Sequence, residues 1–233
     1  MSVPARADDL QIAGMARLSS CDWPGMLVAT VFLQGCPLDC GYCHNPGLLD
    51  PRVPGTVAWD DVLAHLDRRH GLLDGVVFSG GEPTRQPGLA DAMRQARERG
   101  YGVGLHTSGA YPKRFVEVLP LCDWIGLDIK APERLYGAVT GVQAAAAKAF
   151  ACLRFALESG VALQVRTTVD PTTMAPEDVA ELTETLLGLG VREHVLQEVR
   201  SEGARPVYVE KLAAVQGRAG ILTVESRASA MAV

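Results

Sequence analysis

Residues 35–47 read GCPLDCGYCHNPG and bring Cys36, Cys40, Cys43 and His44 within nine positions. Thiolates and imidazole at this density bind metal or exchange disulfides. CGYCH, 40–44, matches the pattern by which two thiols and a histidine attach a c-type haem; that assembly requires export and leaves Cys36 over. Cys40 and Cys43 alone match a redox dithiol whose first thiol has a lowered pKa at a helix N-terminus, and Cys36 is again unexplained. Zinc would take the three thiolates and His44 as four tetrahedral ligands. Adjacent residues seldom both turn onto one ion, however, and structural zinc usually draws ligand pairs from two separate stretches. An iron–sulfur cluster held by three thiolates employs every cysteine of the loop and leaves one iron open to a substrate or cofactor.

The elements that must carry this loop are legible from residue 27 onward. Short β-rich runs at 27–33, 75–79, 102–107, 123–129, 161–169 and 194–199 alternate with amphipathic stretches. Trp59, Val62, Leu63 and Leu66 share one helical face, as do Phe150, Leu153 and Leu157, and Val179, Leu182 and Leu186. Gly71, Gly100, Gly160 and Gly190 fall where helices should stop, and Pro176 with Glu177 and Asp178 suits a first turn. AAAA at 144–147 is good helix. Strand and helix repeating in this order predict a parallel sheet with right-handed crossovers. Six units are too few for a closed eight-unit barrel, so the expectation is an open, partial (β/α)6 TIM-like barrel of the α/β class. GILTVES, 220–226, is a candidate further strand. No linker or repeat divides the chain, which reads as one domain over 1–233 with a core from about 12 to 200 and a C-terminal extension, 201–233, of no assigned role.

Parallel α/β folds gather chemistry at the C-terminal ends of their strands. There lie the cysteine loop after the first strand, GGEP (80–83) after the second, HTSG (106–109) after the third and Lys130 after the fourth.

Composition narrows the partners. The chain has 233 residues, 48% hydrophobic and 21% charged, enough for a substantial core. A net charge of -5 with scattered Lys and Arg offers no footprint for nucleic acid or an anionic membrane. Asp8 and Asp9 stand where a signal peptide needs an apolar core, and no apolar run approaches the ~20 residues that span a bilayer. The expected location is the cytoplasm, where thiols stay reduced and grouped cysteines serve metal or redox chemistry.

The C-x3-C-x2-C spacing, with aromatic Tyr42 before the last cysteine and SGGEPT after the next strand, resembles the signature of the radical S-adenosylmethionine (SAM) superfamily. SSCDWPGMLVATVFLQGCPLDCGYCHNP, VVFSGGEPT, DWIGLDIKAP and VRTTVDP resemble, more closely, the activating proteins of anaerobic ribonucleotide reductases, and more distantly the pyruvate formate-lyase activating enzymes. The resemblance runs from about residue 12 to about residue 200.

It implies that Cys36, Cys40 and Cys43 hold a 4Fe-4S cluster whose open iron is chelated by the amino and carboxylate groups of SAM, with Tyr42 beside the cofactor. Gly80 and Gly81 let backbone approach a ligand, and Glu82 with Pro83 fixes the turn so that peptide oxygens meet the SAM ammonium. Lys130 offers a cation to the SAM carboxylate, Asp128 balances charge near the sulfonium, Thr107 and Ser108 hydrogen-bond the cofactor, and Arg166 reaches ribose or carboxylate. His44 stands behind the ligands. Plainer roles exist for each: a turn for GGEP, a solvated lysine at 130, ordinary strand-end residues at 107, 108 and 166. Many related activating enzymes read Asp-Thr-Asn-Gly where this chain has His106-Thr107-Ser108-Gly109, so His106 either changes the charge beside the cofactor or is a satisfied core histidine. Isolated Cys21, Cys122 and Cys152 read as core residues.

The implied function is a radical SAM enzyme. A low-potential donor, flavodoxin or ferredoxin, reduces the cluster, SAM is cleaved to methionine and a 5′-deoxyadenosyl radical, and a hydrogen is taken from a glycine Cα of a partner, an anaerobic ribonucleotide reductase. Without further grouped cysteines there is no auxiliary-cluster domain, and an open-sided barrel suits a polypeptide loop. The alternatives are an activase of another glycyl-radical enzyme, a small-molecule enzyme such as a 7-carboxy-7-deazaguanine synthase relative, and a zinc-binding interaction protein. Nothing in the sequence suggests hydrolysis.

Overall fold

The computed structural model describes residues 5–218. A single sheet runs in sequence order, β1 (Ile12–Ser19), β2 (Val28–Leu33), β3 (Gly75–Gly80), β4 (Gly102–Thr107), β5 (Trp124–Asp128), β6 (Ala162–Val169) and β7 (His194–Glu198). From β2 to β7 every neighbouring pair is parallel, in registers such as Thr30↔Val77, Val77↔Gly104 and Leu127↔Val165. The six expected strands are these six.

The first 26 residues supply one strand that the sequence pattern did not declare. β1 pairs antiparallel with β2 and has no crossover helix. Its side chains are mostly half-buried, so no clean alternation of apolar and polar residues announces it. The sheet is not closed: among the described residues β7 pairs only with β6. The candidate strand at 220–226 lies outside the described residues.

The crossovers are α1 (Trp59–Asp67), α2 (Leu89–Glu98), α3 (Pro112–Val118), α4 (Tyr136–Thr140), α5 (Ala145–Ser159) and α6 (Pro176–Gly188), and α7 (Pro206–Arg218) follows the last strand. α5 begins within the alanine run and stops at Gly160, whose φ of 74° is left-handed and comfortable for glycine alone. Trp59, Val62, Leu63 and Leu66 turn one face of α1 inward as expected.

Strand alternation separates two apolar regions. Val31, Val76, Phe78, Leu105 and Leu127 face the helices and form the main core. Val28, Val77 and Trp124, at the opposite parity, pack with Trp23 in a second cluster. Trp23 stacks on Trp124 with centroids 5.7 Å apart. A Cβ at Gly104 would lie 2.9 Å from Trp23, so glycine there makes room for the indole. The strand face above this tryptophan pair carries Ser79, His106, Asp128 and Arg166. No helix among the described residues is long and apolar enough to cross a membrane.

Candidate functional site

The cysteine loop leaves β2 and is folded back on itself by backbone bonds. Gly35 N–H donates to Leu48 O at 2.8 Å, Cys36 N–H to Leu49 O at 3.1 Å and Cys43 N–H to Cys40 O at 3.1 Å. Buried Gln34 ties the far end down, its amide nitrogen donating to Gly47 O at 2.8 Å and Asp50 O at 2.9 Å. The GGEP turn lies against the start of this loop. A Cβ at Gly80, where φ is +111°, would stand 2.3 Å from Leu33 N, and one at Gly81 would stand 2.5 Å from Gly35 O. The two glycines therefore admit another stretch of backbone, and Glu82 N–H donates to Gly35 O across the junction at 2.9 Å.

The Glu82 side chain turns away from the mouth and is fully buried. Its carboxylate accepts from Thr84 N–H, the Thr84 hydroxyl and the Thr107 hydroxyl on one oxygen, and from Ser108 N–H and the Ser108 hydroxyl on the other, at 2.6–3.1 Å. The end of β3 is thereby fastened to the end of β4, and the hydroxyls of Thr107 and Ser108 are committed to Glu82.

A cleft opens above the tryptophan pair. Cys36, Cys40, Tyr42 and Cys43 line it from one side, Gly80, Gly81, Thr107 and Ser108 from another, and Asp128, Lys130 and Arg166 from a third. Of the site residues expected from the sequence, only Glu82 stands behind the wall. Leu38, Ser79, Thr168 and Gln197 also line the cleft and were not singled out. Strand parity could have found Ser79 and Thr168, each two residues beyond an inward-facing neighbour.

Three charges meet on Asp128. Lys130 Nζ lies 3.2 Å from Oδ2 and 5.9 Å from the centre of the Tyr42 ring, and Arg166 Nε donates to Oδ1 at 2.9 Å. Burial raises the Asp128 pKa, but Arg166 and then Lys130 outweigh it and leave the carboxyl at about 2. Burial disfavours the Lys130 ammonium, yet Asp128 holds its pKa well above the ordinary value. Two cations to one anion leave the cleft a local positive surplus suited to a carboxylate.

Burial pushes the Cys36 thiol up to about 12 and raises Cys40 as well, with Lys130 opposing both. Such thiols ionise only beside a further positive charge, as a bound metal centre provides. Among the described residues no group of three or more His, Cys, Asp or Glu side chains converges as a single metal ion requires. No four-ligand zinc site is preformed among the described residues. A cubane, whose corners stand apart, has no need of that convergence, and the three thiols on one cleft wall fit it. The Tyr42 hydroxyl is buried and has no hydrogen-bond partner among the described residues.

His106 proves to be a satisfied histidine. Nδ1 lies 3.1 Å from Ser79 Oγ and Nε2 2.7 Å from Asp22 O, and the ring packs edge-on against Trp124. Burial first, and the Arg166 charge second, lower its pKa to about 4, so it is neutral. His44 lines the cleft beside the cysteines, its pKa lowered by burial and then by Arg200. Cys122 and Cys152 are buried as expected, whereas Cys21 is exposed, on the turn after β1. An undeclared β1 had left that turn looking like apolar interior.

An open α/β sheet with three cysteines and a charged trio at the strand ends defines a class, and the chain belongs to it: its residues 30–189 match the Radical SAM superfamily. The cofactors of that family are a 4Fe-4S cluster and SAM. A Methanocaldococcus jannaschii protein named as a glycyl-radical enzyme activating enzyme is 28% identical over 182 residues, 75% of each chain. The pyruvate formate-lyase-activating enzyme of Clostridium pasteurianum is 35% identical over 126 residues, covering 52% of each. Among solved structures, Streptococcus suis SuiB bound to S-adenosylmethionine superposes with a TM-score of 0.61 at 16% identity, over 79% of this chain and 46% of that one. The chain thus spans three quarters of the first relative's length and about half of the other two.

Proposed function

We propose that this protein is a glycyl-radical-enzyme activase whose partner is an anaerobic ribonucleotide reductase. Cys36, Cys40 and Cys43 hold the cluster. Lys130 takes the SAM carboxylate, Arg166 the ribose or carboxylate, and Asp128 balances the sulfonium between them. Gly80 and Gly81 present peptide oxygens to the SAM ammonium, Thr107 and Ser108, whose hydroxyl protons go to Glu82, accept from the cofactor with their remaining lone pairs, and Tyr42 lies alongside it. When bound, the cluster supplies the electron, received from flavodoxin or ferredoxin, that cleaves SAM to methionine and the 5′-deoxyadenosyl radical that takes hydrogen from a glycine Cα.

The observation that carries this reading is where the cleft ends. Gln197 of β7 lines it, so the cleft reaches the strand that is unpaired on its outer side among the described residues. A small metabolite would need enclosure there to keep out water and competing hydrogen donors. A polypeptide loop enters through such an opening and closes it. The names of the two relatives, both activating enzymes, support the same reading.

The test is anaerobic electron paramagnetic resonance of the reconstituted protein mixed with the reductase, SAM and a reductant. A glycine-centred doublet on the reductase is the expected result. Formation of 5′-deoxyadenosine without that doublet assigns the radical to a different glycyl-radical enzyme or to a small molecule.

A further inference from the structure

The segment after β7 returns across the cysteine loop. A Cβ at Gly203, where φ is +77°, would lie 2.4 Å from His44 O, so the two backbones touch there. Arg205 pairs with Asp39. Tyr208, on the first turn of α7, is buried; its ring lies edge-on to Tyr42 with centroids 6.5 Å apart, and a Cβ at Gly41 would meet its Cδ2 at 3.2 Å. The contacted residues are Asp39, Gly41, Tyr42 and His44, which alternate with Cys40 and Cys43. Both thiols are left to the cleft.

Tyr208 is itself anchored. Its hydroxyl donates to Asp170 Oδ1 at 2.8 Å, and Asp170, also buried, accepts from Thr172 N–H and hydroxyl and from the Thr173 hydroxyl. A ring tethered at its far end to a hydrogen-bonded turn is restrained from yielding to the loop beneath it. Gly41 and Tyr42 are the two residues that set the separation and aim of Cys40 and Cys43, and nothing within CGYC beyond the Cys43–Cys40 backbone bond fixes them.

We propose that residues 201–218 form a clasp on the cysteine loop and that Tyr208, tethered to Asp170, is a positioning residue that holds Cys40 and Cys43 in cluster-binding geometry and covers the outer side of the loop. The inference rests on the reading that Cys36, Cys40 and Cys43 hold the cluster. Without the ring, the loop between the two thiols gains freedom and water and dioxygen reach it from the side opposite SAM.

The experiment compares unaltered protein with Tyr208→Ala, Tyr208→Phe and Gly41→Ala, and with Val207→Ala as a control on the solvent side of the same helix, where Val207 is exposed. Each is reconstituted anaerobically with iron and sulfide. Iron per chain, the decay rate of the iron–sulfur absorption in air, and far-ultraviolet circular dichroism are measured. Losing an outer support of a metal site typically weakens metal retention on the order of 10-fold, so Tyr208→Ala should bleach about 10-fold faster while keeping its dichroism spectrum. Tyr208→Phe, which keeps the ring and loses the tether, should fall between, and Val207→Ala should match the unaltered protein. A folded Tyr208→Ala with unaltered iron content and bleaching rate overturns the proposal. If that variant does not fold, Gly41→Ala decides, because its methyl group presses on the ring: faster bleaching supports the clasp and an unchanged rate overturns it. An unaltered protein that takes up no iron brings down the assignment of the three cysteines, and the clasp with it.

Discussion

Replacing Glu82 by glutamine keeps the size and shape of a fully buried side chain and removes its charge and one acceptor. In the native site Oε1 accepts from Thr84 N–H, Thr84 Oγ and Thr107 Oγ, and Oε2 from Ser108 N–H and Ser108 Oγ. No salt bridge to Glu82 occurs among the described residues, so these five donors carry the whole compensation for burying the carboxylate. Glutamine best keeps its oxygen on the side of three donors. Its NH2 then confronts Ser108, whose hydroxyl can rotate to accept but whose backbone N–H cannot. One charge-assisted bond is lost outright, the partly buried Ser108 N–H is left facing another donor, and the remaining bonds drop from charged to neutral strength. The sum is a destabilisation of about 2–4 kcal/mol. Urea unfolding of the reconstituted protein, followed by circular dichroism, should show a lower midpoint at unchanged slope. SAM binding should weaken in parallel as Thr107 and Ser108 lose their anchor. A loss below about 0.5 kcal/mol, the range of ordinary surface changes, refutes the account of Glu82 as the fastening between the ends of β3 and β4.

Lys130→Ala removes a charge-assisted contact proposed for the SAM carboxylate, and SAM affinity by equilibrium binding should fall about 10- to 100-fold while iron content is unchanged; unaltered affinity assigns Lys130 to Asp128 alone. Cys36→Ala, Cys40→Ala and Cys43→Ala should each lose bound iron and SAM cleavage together, whereas Cys21→Ala, Cys122→Ala and Cys152→Ala should retain both; a Cys36 variant with full iron content sinks the assignment. His106 titrates at about 4 when folded, against an ordinary value near 6.5. The unfolded chain therefore takes up this proton first as pH falls, and stability present above pH 6.5 declines towards pH 4 by at most about 1.4 kcal/mol per pH unit. Urea midpoints of His106→Gln across that window should follow a shallower slope than the unaltered protein; equal slopes would assign the decline to other groups.

The chemistry of this protein is local in its sequence, and so it was legible there. Cys36, Cys40 and Cys43 are adjacent along the chain, and their spacing limits what they can bind before any fold exists. The six parallel strands and the faces of α1, α5 and α6 follow from periodicity, because the hydrophobic pattern of a segment reports the geometry that buries it. The convergence of the cysteine loop, GGEP, Thr107, Ser108 and Lys130 on one mouth follows from parallel topology, which places every strand's C-terminal end on the same side. Pairings between distant and aperiodic segments were decided only by tertiary structure. β1 is defined by its antiparallel partner, and its exposed turn by where that pairing ends. Glu82 turns inward because Thr107 and Ser108, at the end of the next strand, add three donors to the two that Thr84 of its own loop supplies. His106 is neutral because the fold buries it and sets the Arg166 charge beside it, which together outweigh the Asp22 carbonyl on Nε2. Asp39 and Arg205 are 166 positions apart, and Tyr208 reaches Gly41 and Tyr42 across a similar span. No period or motif links residues so separated, and only the path of the chain after β7 brings α7 onto the loop that the cysteines had already marked.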